Sequence, residues 1–399
     1  MTEHKSRKNL VRRRMARTGE SYTTANRQVT THRPSGDIPG AVPGYPGFGV
    51  EVHRPSSLCR HLLGQAGLPL SEAMVCGLGG GIGFLYAVFE YRTEPIPMLT
   101  IVAQHHPEPW LAAVTRNLGI TTARTTSTTP SAALGKLDRA LDAGRPALIT
   151  VGRGLLPWHP GVDPVENADG FPIVVAGRRD GDYLIDDRDA APHRIDRHVL
   201  GEAWAAHRKG RFGLTTLGAL PARVDLPTAT VAAITTTVDH LTGPVLGNYF
   251  DANMGLTGMA RLAEDLADTR TKRGWTKRFP NDDAFRATMQ RLTDCLTWQH
   301  TAAGGTRPAY ARFLSEASGV TGLDLSGAAS HAQRSGQSWL QAADLAAAAV
   351  NGGDRPAILR TLADLVGTAL AAETEMVGKL RPQLGLGIKD SAPASSSSS

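Results

Sequence analysis

Residues 56–84 read SSLCRHLLGQAGLPLSEAMVCGLGGGIGF, and most of the fold is decided by how this stretch is read. Ser56-Ser57 is a helix-capping pair, and Leu58, Leu62 and Leu63 fall on one face of a helix beginning near Leu58. Cys59 then lies in the first turn, where unpaired N–H groups and the helix dipole favour an anion. Such a setting lowers a thiol pKa, and the same N–H groups can hold the oxyanion of a tetrahedral intermediate. The structural reading of Cys59 is a small buried hydrophobe, the commoner fate of a lone cysteine. The glycines from Gly77 to Gly83 are not followed by Lys-Ser/Thr, and no strand clearly precedes them. Phosphate-loop and dinucleotide readings are therefore weak, and close backbone packing against a helix is favoured, with Cys76 in the core.

Working outward, Met98–Val102 reads as a buried strand and Ser131–Ala143 as a helix ended by Gly144-Arg145-Pro146. Ala147–Val151, Ile173–Ala176 and Tyr183–Ile185 read as strands, the last two joined by a hairpin turn at Asp180-Gly181. A helix, then mixed elements, then an antiparallel pair predicts α+β rather than a doubly wound sheet. Residues 226–385 carry helical periodicity, most clearly in Trp339–Val350 and Ile358–Met376. The expected division is a basic arm and linker over 1–40, an α+β domain over 41–225, an all-helical domain over 226–385 and a Ser-rich tail over 386–399.

Composition bounds the function. The chain has 399 residues and a formal net charge of +6. Residues 1–20 alone hold seven Lys/Arg against two Glu, so the basic excess belongs to an arm and not to the folded body. That argues against a nucleic-acid-binding domain and leaves the arm as a solvated tail or a dock for an acidic partner or RNA. No apolar run reaches transmembrane length. Cys59, Cys76 and Cys295 form neither a disulfide framework nor a zinc spacing, which fits a reducing cytoplasm. His105-His106 are adjacent on an extended segment and point to opposite faces, so no metal is expected. No cofactor is expected either.

The run from Ser57-Leu58-Cys59 through Gly67-Leu68-Pro69-Leu70-Ser71-Glu72 to Gly77–Phe84 resembles the N-terminal domain of the butirosin biosynthesis protein H family. Asp142-Ala143-Gly144-Arg145-Pro146 is similar as well. Gly255-Leu256-Thr257-Gly258-Met259 and Gly305–Ala317 resemble the DUF4872-type helical domain that follows it. The resemblance implies a papain-like cysteine-protease fold and an acyltransferase of antibiotic-type specialised metabolism. Its acyl donor would be a carrier-protein thioester and its acceptor a small amine. Cys59 falls on the nucleophile position, and Asp187 on the strand-end acid that orients a histidine.

The histidine itself is missing, because Phe171 or Pro172 stands where the pattern expects it. Neither can take a proton from a thiol. His159 and His53 are the candidates to replace it, with His193 a weaker third. Three readings stay open: acyl transfer through Cys59, a catalytically degenerate binding or scaffold protein, and a cysteine peptidase or amidase. Asp163, Glu166 and Asp169 form an acidic loop that could meet a cationic substrate. Arg307, Arg312 and Glu316 have the spacing of salt bridging on one helix face.

Overall fold

The computed structural model describes residues 38–91, 95–159 and 170–386. The basic arm, the acidic loop of Asp163, Glu166 and Asp169, and the Ser-rich tail lie outside the described residues. Helices α1 (Arg54–Gln65) and α2 (Glu72–Leu78) open the fold, followed by the antiparallel hairpin β1 (Leu85–Phe89) and β2 (Met98–Val102). Next come α3 (Trp110–Asn117), β3 (Thr122–Thr125), α4 (Pro130–Asp142), β4 (Ala147–Val151), β5 (Phe171–Arg179), β6 (Asp182–Asp186), β7 (His193–Ile195), α5 (Arg197–Ala206) and β8 (Leu214–Leu217). The remainder is helical: α6 (Leu226–Thr242), α7 (Gly255–Ala267), α8 (Trp275–Arg278), α9 (Asp282–Thr297), α10 (Arg307–Thr321), α11 (Ser326–Ala349) and α12 (Arg355–Gln383).

Strands β3 to β8 form one sheet in the order β3-β8-β4-β5-β6-β7, every neighbouring pair antiparallel. This is the α+β arrangement expected, with the strands at 98–102, 147–151, 173–176 and 183–185 present and the last two extended by a few residues. Asp180 and Gly181 both have positive φ, 52° and 89°. A two-residue turn of that kind matches the twist of the strands it joins, which is why Asp-Gly serves there.

Helix α1 starts earlier than expected. The extended residue before it is His53, and Pro55 sits within its first two positions, where the missing N–H is no loss. The Glu72 carboxylate accepts the backbone N–H groups of Glu51, Val52 and His53, at 3.2, 2.8 and 2.6 Å, and clamps the chain as it enters the helix. Ser57, expected as a cap, lies inside the helix, and its hydroxyl donates to the same carboxylate.

Two large apolar cores and a small third one at Leu85, Ala87, Val102 and Met254 hold the described residues, and the two large ones do not divide at residue 225. The first joins α1, α2 and the large sheet to Ile234 and Val238 of α6 and Tyr310 and Phe313 of α10. The second is helical and includes Leu262, Trp275, Met289, Trp339 and Leu362, yet Tyr86, Leu99 and Ile101 of the β1–β2 hairpin pack into it. The packing thus exchanges a hairpin one way and helix faces the other.

The glycine run serves the first core. A Cβ on Gly77 would lie 2.2 Å from the Phe313 ring, and one on Gly81, at φ 64°, 2.4 Å from Tyr310. The run lets the α2 backbone meet α10 directly, as the packing reading holds. Arg307 pairs across to α12 and not along its own helix face. It is fully buried and pairs with Glu373 through Nε and Nη2 at 2.8 and 2.9 Å. Its other N–H groups reach the carbonyls of Ala103, Gly305 and Gly83, so all five donors have acceptors. Glu316 accepts from Ser71 Oγ at 2.5 Å, across to the start of α2.

Candidate functional site

The site lies where α1 begins against the ends of β5 and β6. Arg54 is the first residue of α1, Phe171 opens β5, and Asp187 follows the last residue of β6. Arg54 Nε donates to Asp187 Oδ1 at 2.5 Å, and its guanidinium carbon stands 3.9 Å from the centre of the Phe171 ring. Its other end donates to the Pro172 carbonyl. The layout is a helix N-terminus facing a strand start and a strand-end acid. The side chains are arginine, phenylalanine and aspartate.

Asp187 also accepts from His159 Nε2 at 2.7 Å and from Trp158 Nε1 at 2.9 Å. Burial would raise its carboxyl pKa. The charge of Arg54 and the hydrogen bonds from His159, Trp158 and Arg54 outweigh that and hold it well below the usual carboxylate range. The neighbouring Asp186 points the other way, as alternation along a strand requires, and accepts from Tyr45 Oη, Gly49 N and His61 Nδ1.

Of the residues singled out from sequence, the structure brings Asp187 and His159 together and leaves Cys59 and His53 elsewhere. Cys59 is the sixth residue of α1, about 7.5 Å along the axis from Arg54 at 1.5 Å per residue. It is 3% exposed, packed in the first core, and makes no hydrogen bond among the described residues. Burial pushes its thiol up to about 12, the reverse of the lowering expected of a first-turn cysteine. The cause is local: the helix begins at Arg54, four residues before the Leu58 start that Ser56-Ser57 marked. Cys76 is likewise buried and pushed up to about 12 by burial.

His53 is fully buried, its Nδ1 2.7 Å from Ser56 Oγ and its Nε2 2.7 Å from Gln104 Oε1. Burial lowers it to about 4, so it is neutral at physiological pH and holds the entry to α1. His159 packs edge-on against Phe171, with ring centres 5.1 Å apart, and is held by Asp187. Neither histidine faces a thiol. His193 stacks on Trp158 at 4.3 Å and so braces the residue that donates to Asp187.

A cleft of about 360 Å³ opens beside Arg54. Arg54, Arg153, Phe171 and Arg188 line one side, while Trp110 and the 298–301 segment after α9 close the others. The Arg153 and Arg188 guanidinium carbons lie 4.9 and 5.1 Å from the Trp298 ring centre. Burial and the charges of Arg54 and Arg153 push Arg188 down from its ordinary value, against the pull of Asp187 and Asp189. No group of three or more His, Cys, Asp or Glu residues is arranged to hold a metal among the described residues. None of the helices described is long and apolar enough to cross a membrane.

Arg54, Trp158, Arg153 and Arg188 were missed in the sequence. For Arg54 a signal was present: proline one residue later marks the first turn of a helix. The others are brought in by long-range folding and leave no local mark.

The mixed helix-and-sheet part of the fold carries the cleft, and the 298–301 segment of the helical part closes it. Residues 53–188 match the family model of butirosin biosynthesis protein H, N-terminal, and residues 204–380 match a domain of unknown function, DUF4872. The chain thus carries these two domains in the order its sequence implied. Among solved structures, a protein described as a C39-like peptidase from Bacillus anthracis is 13% identical. That match covers 46% of this chain and 100% of the other, with a TM-score of 0.31, too slight a likeness to carry weight. None of the curated proteins matches the chain.

Proposed function

We propose that this protein is a non-catalytic, papain-like member of the butirosin H-type family, acting in specialised metabolism as a small-molecule binding protein. One observation carries the reading: Arg54, not a thiol, holds the helix N-terminus, ion-paired to Asp187 and stacked on Phe171. A thiol nucleophile needs a base beside it. Here the helix N-terminus holds a permanent cation, and the position expected of the base holds a hydrocarbon ring. The strand-end acid is retained, but its charge is taken up by Arg54, His159 and Trp158.

Acyl transfer from a carrier-protein thioester through Cys59 to an amine, and peptide or amide cleavage by the same thiol, both require Cys59 to reach a substrate as thiolate. Its burial and raised pKa oppose this. The deciding experiment incubates the full chain with acyl thioesters of N-acetylcysteamine and measures intact mass. The expected result is no acyl adduct. An adduct present in the wild type and absent from Cys59→Ala would overturn the reading and restore the acyltransferase.

A further inference from the structure

We infer that the cleft beside Arg54 binds a small molecule bearing a carboxylate or phosphate on a planar, apolar body. The inference rests on the non-catalytic reading above and names the ligand class. Among the described lining residues, Arg54, Arg153 and Arg188 stand against one carboxylate, Glu108. Glu108 is already engaged by Arg116 and by His105 Nε2, the latter at 3.4 Å. Asp187 is fully buried behind Arg54 and committed to it.

Arg188 makes no side-chain hydrogen bond or ion pair among the described residues; its contact is the Trp298 ring. Arg153 stands over the same ring and also 5.3 Å from the centre of Phe171. Stacking on the Trp298 face holds the Arg188 guanidinium plane and leaves its N–H edge for an oxyanion, which it meets with two parallel donors. Cations gathered in a partly dry cleft repel one another, and a bound anion relieves that repulsion. A cationic amine would add to it.

The walls suit an apolar body. Phe171, Trp110 and Trp298 offer ring surface, and a volume of about 360 Å³ lies within the roughly 300–1,000 Å³ usual for small-molecule sites. The aromatic wall at Trp298 follows α9, outside the butirosin H-type segment, so the helical domain contributes to recognition.

The test is calorimetric titration of the full chain with phenyl phosphate, benzoate and benzylamine, at low and at raised salt. One or both anions should bind, more weakly as salt rises, and the stronger of the two identifies the oxyanion. Arg188→Gln and Trp298→Ala should each weaken that binding by about tenfold, the loss of one charge-assisted or ring contact. Both side chains are at least partly exposed, and the variants should keep the wild-type unfolding midpoint. Binding of benzylamine in preference to both anions, or anion binding that Arg188→Gln leaves unchanged, would overturn the inference. Silence from both anions while Cys59 stays unacylated would overturn the ligand class and leave the non-catalytic reading standing. An acylated Cys59 would remove that reading itself.

Discussion

Arg54 and Asp187 are 133 residues apart in the chain and meet at 2.5 Å, with the acid fully buried and the arginine side chain 14% exposed. Such a pair is poor evidence for net stability, but losing one member is costly because the other stays buried and charged. Arg54→Ala should therefore lower unfolding free energy by about 3 kcal/mol, the lower end for a broken buried pair. Denaturant unfolding measures it. Arg54→Lys should recover only part of the loss, because an ammonium cannot serve Asp187 and the Pro172 carbonyl with one planar fork. Full stability in Arg54→Ala would mean that His159 and Trp158 suffice to hold the acid.

The same geometry predicts a gain of reactivity. In the double variant Arg54→Cys/Phe171→His, a thiol stands at a helix N-terminus beside an imidazole near Asp187. Its alkylation should titrate below the free-thiol value of about 8.5. Each single variant should lack that shift. A thiol titrating as free in the double variant would show that the layout alone does not activate it.

The native cysteines should behave in the opposite way. Cys59, Cys76 and Cys295 are all buried, and burial pushes the first two up to about 12. Iodoacetamide at mildly alkaline pH should leave all three unmodified in the folded chain and label them once denaturant unfolds it. Mass spectrometry of the labelled peptides checks this. Rapid labelling of Cys59 in the native protein would contradict its placement in the core.

Two buried histidines set a pH window. Burial lowers both His53 and His105 to about 4, with the facing His240 adding to the effect at His105. Above about pH 6.5 folded and unfolded chains both hold these rings neutral, and the stability is complete. As pH falls toward 4 the unfolded chain takes up protons that the folded one refuses, and stability is lost. Each ring accounts for up to about 3 kcal/mol across that window. Unfolding free energy followed from pH 7 to pH 4 should fall steeply, and less steeply in His53→Gln. An unchanged slope in that variant would remove His53 as a cause.

Arg307 and Glu373 tie the two cores through fully buried side chains. Arg307→Met leaves the carboxylate with only Ser335 and Trp339, and frees the carbonyls of Ala103 and Gly83. A loss of about 3–5 kcal/mol is expected, as for other broken buried pairs. Thermal unfolding reads it, and a midpoint within a degree or two of wild type would count against the assignment.

The sequence was most readable where a local pattern matched the final environment. The strands from Ala147 to Ile185 carry apolar runs and a two-residue turn, and they are buried as those runs require. Strand β3, Thr-Ala-Arg-Thr, is exposed along its whole length and has no apolar signature; it exists because β8 pairs with it from about 90 residues away in register Thr125–Leu214 to Thr122–Leu217. Pairing at that distance is set by the sheet and not by local propensity. In the site, Asp187 and His159 were found because acid and imidazole advertise chemistry by type. Arg54 was not, because an arginine at a helix start is ordinary until the acid it meets is known. Ser56-Ser57 drew the helix start forward, although Pro55 and the clamp by Glu72 put it at Arg54.

The exchanged hairpin bears on inheritance. A break between the two family segments, anywhere from 189 to 203, would leave the first piece with Tyr86, Leu99 and Ile101 stripped of their helical bed. The second piece would keep Tyr310 and Phe313 without the glycine backbone they lie on. Neither half is then a transferable module. A recombination event that brings in a foreign helical segment must bring a matching hairpin across the junction as well. Divergence within such a lineage is therefore channelled into point changes around the cleft, where Arg188 and Trp298 can each vary without disturbing the exchange.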